Sequence, residues 1–259
     1  MMRRTKNRDP FKRGKAGVVI GVFVFFIIAG GIAFLLYYQK NKERVDQAIA
    51  ISAYGPRKGV PREIEDLQRA IKVYEKQLDR YVRDAAQTGT YWKILGTRFA
   101  EKGMHIEAIN AFREAMRYNT EEAVLYYLTG VSAGRAGKLA LEYERDGGAA
   151  EHYYDLSEEA YIRAIALDEG YSLALYGLAV LYAFELNRPL DAIPRIERYM
   201  ELRSGDVDAM FILARCYYMS GQYRRSLDQY DMIIGTTKDP RRRSEAEQNK
   251  RVVQEVFNG

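Results

Sequence analysis

The residue types that most often carry chemistry are scarce in this chain. His105, His152 and Cys216 are its only imidazoles and thiol in 259 residues. A catalytic zinc site takes three protein ligands and a structural one four. Neither histidine has a histidine, cysteine or carboxylate pair at ligand spacing that the helical pattern described below does not already explain. Cys216 falls among Phe211, Tyr217 and Tyr218, where a small packed residue accounts for it better than a reactive thiol. The chain holds no G-x-S-x-G, no G-x-x-x-x-G-K and no G-x-G-x-x-G, so hydrolase, nucleotidase and dehydrogenase readings have no carrier. The expectation is no enzyme, no metal site and no cofactor, and a function in recognition.

A formal net charge of +5 invites a nucleic-acid reading, but the charge is unevenly placed. Residues 1–15 hold seven Lys/Arg against Asp9, residues 16–38 carry no charge, and the remainder therefore sums to −1. No phosphate-binding face is expected. Most of the 21 tyrosines fall on packed positions of the pattern below rather than interleaving with basic residues, so single-strand stacking is not expected either.

From Ala16 to Tyr38 the chain reads AGVVIGVFVFFIIAGGIAFLLYY. As a helix this segment would span roughly 35 Å, enough for a hydrocarbon core of about 30 Å. A cleaved signal peptide has a shorter apolar region and a small-x-small site directly after it, whereas Tyr37, Tyr38, Gln39 and Lys40 follow here. The expectation is an uncleaved transmembrane helix at 16–38 with an aromatic exit. Seven basic residues before it and Lys40, Lys42 and Arg44 after it put the 1–15 tail in the cytoplasm and the rest across the membrane.

Beyond a linker at 39–61 broken by Gly55-Pro56 and Gly59-x-Pro61, residues 91–116 read YWKILGTRFAEKGMHIEAINAFREAM, with Trp92, Leu95, Gly96, Phe99, Gly103, Ala108, Phe112 and Ala115. A small residue on one helix and a large one on the next then recur as Gly96/Phe112, Gly130/Tyr161, Ala179/Ile196 and Ala214/Tyr230. From each large residue to the next small one is always 18, and within a unit the distances are 16, 31, 17 and 16. The period is 34, with 15 extra residues in the second unit and one in the third. The order and spacing resemble the tetratricopeptide repeat, a helix-turn-helix of that length.

The resemblance implies an all-α, right-handed α-solenoid of about four helix-turn-helix units over 89–238. Its capping helices are expected at 62–88 and 239–259, and one transmembrane helix precedes it. The stripe Ile64, Leu67, Ile71, Tyr74, Leu78 and Tyr81 is expected to pack the first cap on the first unit, and Ala246, Val253 and Phe257 to share the inner face of the last helix. The added residues near 138–152 should lengthen both helices of the second unit to a glycine turn at 147–148. Pro194 should kink its helix unless it lies in the first turn.

In the family the first helices line a concave groove, and positions two, five, nine and twelve of each unit point into it. Carried onto this chain, these are Thr90, Lys93, Thr97 and Ala100; Val124, Tyr127, Val131 and Gly134; Leu173, Tyr176, Val180 and Ala183; and Asp208, Phe211, Arg215 and Tyr218. Tyr127, Tyr176, Phe211 and Tyr218 are the expected anchors, Lys93 and Arg215 the orienting charges, and an extended peptide or amphipathic helix of another protein the expected partner. The alternative is a groove covered by a cap or by the insertion. The family's lysine-asparagine grip on chaperone C-termini is met by Lys93 only, because Thr97, Val131, Val180 and Arg215 stand at the other positions. The resemblance implies a membrane-anchored adaptor on the periplasmic side of a bacterial inner membrane, serving envelope, secretion or flagellar assembly. The other reading is an organelle import or chaperone-docking receptor with cytosolic repeats, which the basic N-terminus disfavours.

Overall fold

The computed structural model describes Phe25, residues 28–42, Val45, Ser52, residues 63–143 and residues 148–258. Residues 28–42 are helical and exposed. The expected 1–15 tail, residues 16–24, 26 and 27 of the apolar 16–38 segment and most of the 39–61 linker lie outside the described residues, as do residues 144–147. Among the described residues no helix is long and apolar enough to cross a membrane.

The chain divides into two compact units, Met1–Val82 and Arg83–Gly259. From residue 63 onward the described chain is helical: α1 (Ile64–Glu101), α2 (His105–Met116), α3 (Ala123–Tyr143), α4 (Gly148–Leu167), α5 (Ser172–Val180), α6 (Pro189–Leu202), α7 (Val207–Met219), α8 (Tyr223–Thr236) and α9 (Pro240–Asn258). α1 differs from the expected cap at 62–88 followed by a new helix, because it runs without interruption from Ile64 to Glu101. Gly89 sits inside it for packing rather than turning, since a Cβ there would lie 2.8 Å from the Tyr118 Cβ. Thr88 and Thr90 donate back to the carbonyls of Asp84 and Ala86, at 2.8 and 3.0 Å, and stay helical. From Ile64 on, the segment expected as a cap is thus continuous with the helix of the first unit, and Ile64, Ile71, Leu78 and Tyr81 of its stripe are exposed.

Within the second unit each helix from α2 onward packs on the next, and α3 also touches α5. The packing of α1 on α2, of each later first helix on its second, and of neighbouring units rests on small-against-large contacts. The Gly96 backbone lies against the Phe112 ring, where a Cβ would sit 2.6 Å from a ring carbon. Tyr161 is wedged between Gly130 and Gly177, with ring atoms 2.8 and 2.6 Å from where their Cβ atoms would be. Four residues before each large landmark stands Ala108, Ser157, Ala192 or Ser226, all fully buried. The two serines donate to the carbonyls of Gly130 and Ala214 at 2.8 Å, tying second helix to first. A buried hydroxyl needs such a partner, and the landmark's carbonyl supplies it.

The turn within a unit falls seven residues after the small landmark: Gly103 and Gly221 both adopt φ of 76° there, a conformation that costs glycine nothing. The third unit carries one residue more, and α5 absorbs it by widening into a π turn, Leu181–Glu185. There the Leu186 amide donates to the Leu181 carbonyl at 3.0 Å, and the turn residue becomes Asn187 with φ 50°. A π turn is how a helix accommodates a single inserted residue. In the second unit the same position is Gly137, which does not turn. α3 runs on to Tyr143, and the Gly137 backbone packs against the Tyr154 ring at a distance a Cβ would reduce to 2.8 Å.

α6 continues through Pro194, the sixth of its residues. Pro194 and Leu190 are both exposed, so the Leu190 carbonyl that loses its amide partner faces water and the helix survives. Ala246 and Val253 of α9 are buried against Met210, Ala214, Tyr230 and Ile233, whereas Phe257 stays exposed beside Tyr223.

Candidate functional site

First helices α3, α5 and α7 present their landmark-facing side inward and their other side outward, so groove residues are half-buried by construction. Thr97, Tyr127, Val131, Tyr176, Val180, Phe211 and Tyr218 are all partly exposed, and Arg215 is exposed. They do not form one continuous site.

At the N-terminal end the Lys93 ammonium donates to Glu122 at 2.5 Å, with both side chains about 30% exposed. Thr97 donates its hydroxyl back to the Lys93 carbonyl at 3.0 Å. Lys93 is therefore paired within the chain rather than free to orient a partner. In the centre, Tyr127 stacks obliquely on Tyr171 and Tyr161, with centroids 5.5 and 6.2 Å apart. Tyr176 lies 5.1 Å from Tyr199, whose hydroxyl donates to Asp206 at 2.6 Å. Val131 and Val180 pack on the same central core. Burial pushes the phenols of Tyr127 and Tyr176 up, so at neutral pH they offer apolar faces and hydroxyls but no charge.

The C-terminal end is different. Phe211, Arg215 and Tyr218 of α7 open onto a cavity of about 450 Å³, closed on one side by Phe184 and on the other by Glu245, Asn249 and Val252 of α9. Arg215 lies over the Phe184 ring at 4.9 Å, and Arg242 lies over Phe211 at 5.4 Å while pairing with Asp208 and Glu245. Phe211 meets Tyr230 edge-on at 6.2 Å. The floor is the core of α7, α8 and α9, and the mouth carries one exposed guanidinium. Such a site can take an apolar side chain between the rings and pair a carboxylate at its rim.

Phe184 replaces an expected groove residue. Counting twelve into the third unit gives Ala183, but the π turn rotates the helix after Val180, so Ala183 is buried at 2% exposure and Phe184 lines the cavity. The single extra residue in that unit was the signal for this shift. The α9 wall carries a weaker signal, since the sequence shows the apolar stripe of that helix but no sign that the polar Glu245 and Asn249 face the groove.

Between units, two tyrosines of first helices reach back to the preceding second helix. Tyr182 donates to Glu158 at 2.8 Å and Tyr217 to Glu197 at 2.5 Å. Arg188 and Arg225 each bind the same glutamate at 3.0 Å and cover the same tyrosine ring at 4.5 and 4.1 Å. Burial first and the glutamate bond second push the Tyr182 phenol up to about 12. The two clamps are structural.

No family model matches this chain. It is 19% identical over 174 residues to a TPR repeat-containing protein of Borreliella burgdorferi, covering 67% of this chain and 74% of that protein. Among solved structures it is similar to YrrB, described as a TPR protein with an unusual peptide-binding site, at 20% identity and a TM-score of 0.50, over 71% of this chain and 85% of that one. It is also similar to MamA residues 41 to the end from Desulfovibrio magneticus RS-1, at 13% identity and a TM-score of 0.51 over 66% and 92% of the two chains. TTC0263, a thermophilic TPR protein of Thermus thermophilus, matches over 80% of this chain and 97% of its own at 14% identity and a TM-score of 0.50. The stacked helical hairpins, their small-against-large contacts and these likenesses give the chain the fold of the tetratricopeptide-repeat proteins.

Proposed function

We propose that this chain is a non-enzymatic adaptor that holds a segment of another protein at the C-terminal end of its groove. The observation that carries this reading is the cavity in which Phe211, Arg215 and Tyr218 meet Phe184 and α9. Its rings are already positioned by neighbours, so a guest side chain is bound without ordering the host. The guest expected is an apolar side chain followed or preceded by an acidic one that reaches Arg215. A peptide-binding site in a protein of the same fold, YrrB, supports the class of partner.

The uncharged 16–38 segment and the seven basic residues before it support anchoring of the N-terminus in a membrane with residues 1–15 cytoplasmic and the repeats across it, in the periplasm of a bacterial inner membrane. Envelope, secretion or flagellar assembly is the setting this topology fits. A photo-crosslinking amino acid at Phe211 or Tyr218, with Tyr127 as the comparison, tests the site in native membranes. A defined protein captured at 211 and 218 and lost in Arg215→Glu is the expected result, whereas capture of lipid alone would refute the groove reading. A reporter fused after residue 259 that is active only in the cytoplasm would refute the topology.

A further inference from the structure

We propose that a cavity between the α1–α2 turn and the lengthened α3–α4 hairpin binds an acyl chain carrying an uncharged ester or amide carbonyl. The cavity follows from the 15 added residues of the second unit. The first unit turns at Gly103, whereas α3 passes the equivalent Gly137 and runs six residues further to Tyr143, about 9 Å at 1.5 Å per residue. α1 ends at Glu101, and the first unit borders the overhang with residues 103–107 of its turn.

The space between them is about 310 Å³, at the lower end of the roughly 300–1,000 Å³ of small-ligand pockets. Its lining is mostly apolar. Ala136 is buried, while Leu139 and Tyr143 of α3 and Met104 and Ile106 of the turn line it and stay exposed. Residues 144–147 are Glu, Arg, Asp and Gly and bring no apolar side chain to cover them. A hydrocarbon chain fits such a lining by removing both surfaces from water.

The polar groups of the cavity select the head of that chain. His105 lines it at 8% exposure, and its Nδ1 is shut from water without a hydrogen-bond partner. A buried polar atom left so is unfavourable until a partner reaches it. His105 is also the first residue of α2, which has no side-chain cap, so the amides of residues 105–107 have no acceptor within the helix. Imidazole and helix end thus call for a polar atom at the same end of an apolar volume. Charge there is balanced. Burial first and Arg135 second hold the imidazole below its ordinary value and neutral at pH 7, and the Glu107 side chain lines the same cavity. A carboxylate head would meet Glu107, and an ammonium head would meet Arg135 and the positive end of α2. A carbonyl accepts from the donors and brings no charge. The site lies on the turns within units, so binding there does not depend on what the groove holds.

The test uses the full chain in lipid nanodiscs with Cys216 replaced by alanine and one cysteine introduced at Leu139, in the cavity, or at Leu190, exposed on α6. Methyl octanoate should slow maleimide labelling of Leu139→Cys several-fold and saturably, leaving Leu190→Cys unchanged. Octanoate and octyltrimethylammonium, with the same chain length and charged heads, should require at least fivefold more for the same protection. Adding His105→Phe, which keeps a ring and removes the nitrogens, should weaken protection by the ester several-fold without changing labelling of the free chain. Ala140→Phe, which fills the volume and keeps His105, should abolish it. No protection by methyl octanoate, which would leave the cavity to water, would overturn the proposal. So would equal protection by all three heads, or an ester effect indifferent to His105→Phe or to Ala140→Phe.

Discussion

Tyr161 sits between two first helices, and substituting the glycine beneath it measures how tightly that layer is closed. A methyl added at Gly130 would lie 2.8 and 2.9 Å from Tyr161 ring carbons, well inside the 3.5–4.0 Å optimum for carbon pairs. The ring cannot retreat, because its far side already meets the Gly177 backbone, and Tyr161 is only 6% exposed. Gly130→Ala gains about 1 kcal/mol of helix propensity and loses about 2–3 kcal/mol to overpacking, a net destabilisation of about 1–2 kcal/mol. Tyr161→Ala removes the wedge outright and should cost about 3–5 kcal/mol. In that background the new methyl enters empty space, so Gly130→Ala should stabilise by about 1 kcal/mol, a coupling of roughly 2–3 kcal/mol between the two sites. Urea unfolding of the detergent-solubilised chain by far-UV circular dichroism gives the four stabilities, and hydrogen exchange of α3–α5 localises them, since stacked repeats unfold locally. Additive effects, or a Gly130→Ala variant more stable than the native chain, would refute the close-packing argument.

Gly235 is the matched control: nothing lies within 4 Å of its Cβ position, so Gly235→Ala in α8 should raise stability by up to about 1 kcal/mol. The phenols of Tyr154, which donates to Glu185 at 2.9 Å, and of the clamp residue Tyr182 are both pushed up to about 12 by burial and then by Glu185 and Glu158, and stabilise the fold in their neutral form. Their contribution is complete below the ordinary phenol value near 10 and is lost as pH rises through about 12. Thermal unfolding should therefore fall steeply across that window, and Tyr182→Phe should flatten the fall. Cys216 is fully buried, and burial pushes its thiol up to about 11. Labelling by a maleimide at pH 7 should be at least tenfold slower in the folded chain than in urea, and fast labelling would show that α7 opens. Asn187→Ala, which puts a Cβ-bearing residue without a local hydrogen bond at φ 50°, should destabilise by about 1 kcal/mol, read from the same unfolding curves, whereas Asn187→Gly should be close to neutral.

The helical hairpins were legible because their spacing follows from packing: Gly96 lies under Phe112 and Gly130 under Tyr161, as the 34-residue period requires. The odd residue of the third unit was visible as a spacing of 17, yet its structural consequence was not, because nothing local distinguishes a longer loop from a π turn. The error this produced is one residue wide, Ala183 for Phe184, and the alternation of buried and exposed side chains shows why a single inserted residue redirects a groove. The continuity of α1 was illegible for the opposite reason. The boundary expected between residues 88 and 89 falls inside the helix, where Gly89 is a packing device in contact with Tyr118. Lys93 read as a free charge because Glu122, its partner, lies 29 residues away across a helix turn.

Aromatic rings along a groove carry different meaning according to what holds them. Tyr127 is closed between Tyr161 and Tyr171, and Tyr176 rests on Tyr199, itself tied to Asp206. These rings have spent their faces within the chain, and a guest there gains only their edges. Phe184, Phe211 and Tyr218 also have ring or guanidinium neighbours, Arg215, Arg242 and Tyr223, but unlike Tyr127 and Tyr176 they line an accessible volume. A guest that displaces Arg215 from Phe184 must repay that cation-π contact, worth about 0.5–1 kcal/mol at an exposed site. One that leaves it in place and offers a carboxylate gains a paired guanidinium at no such cost. The geometry therefore discriminates by charge at the rim and by shape at the floor, so selectivity in this groove is concentrated at its C-terminal end, where α9 supplies the second wall.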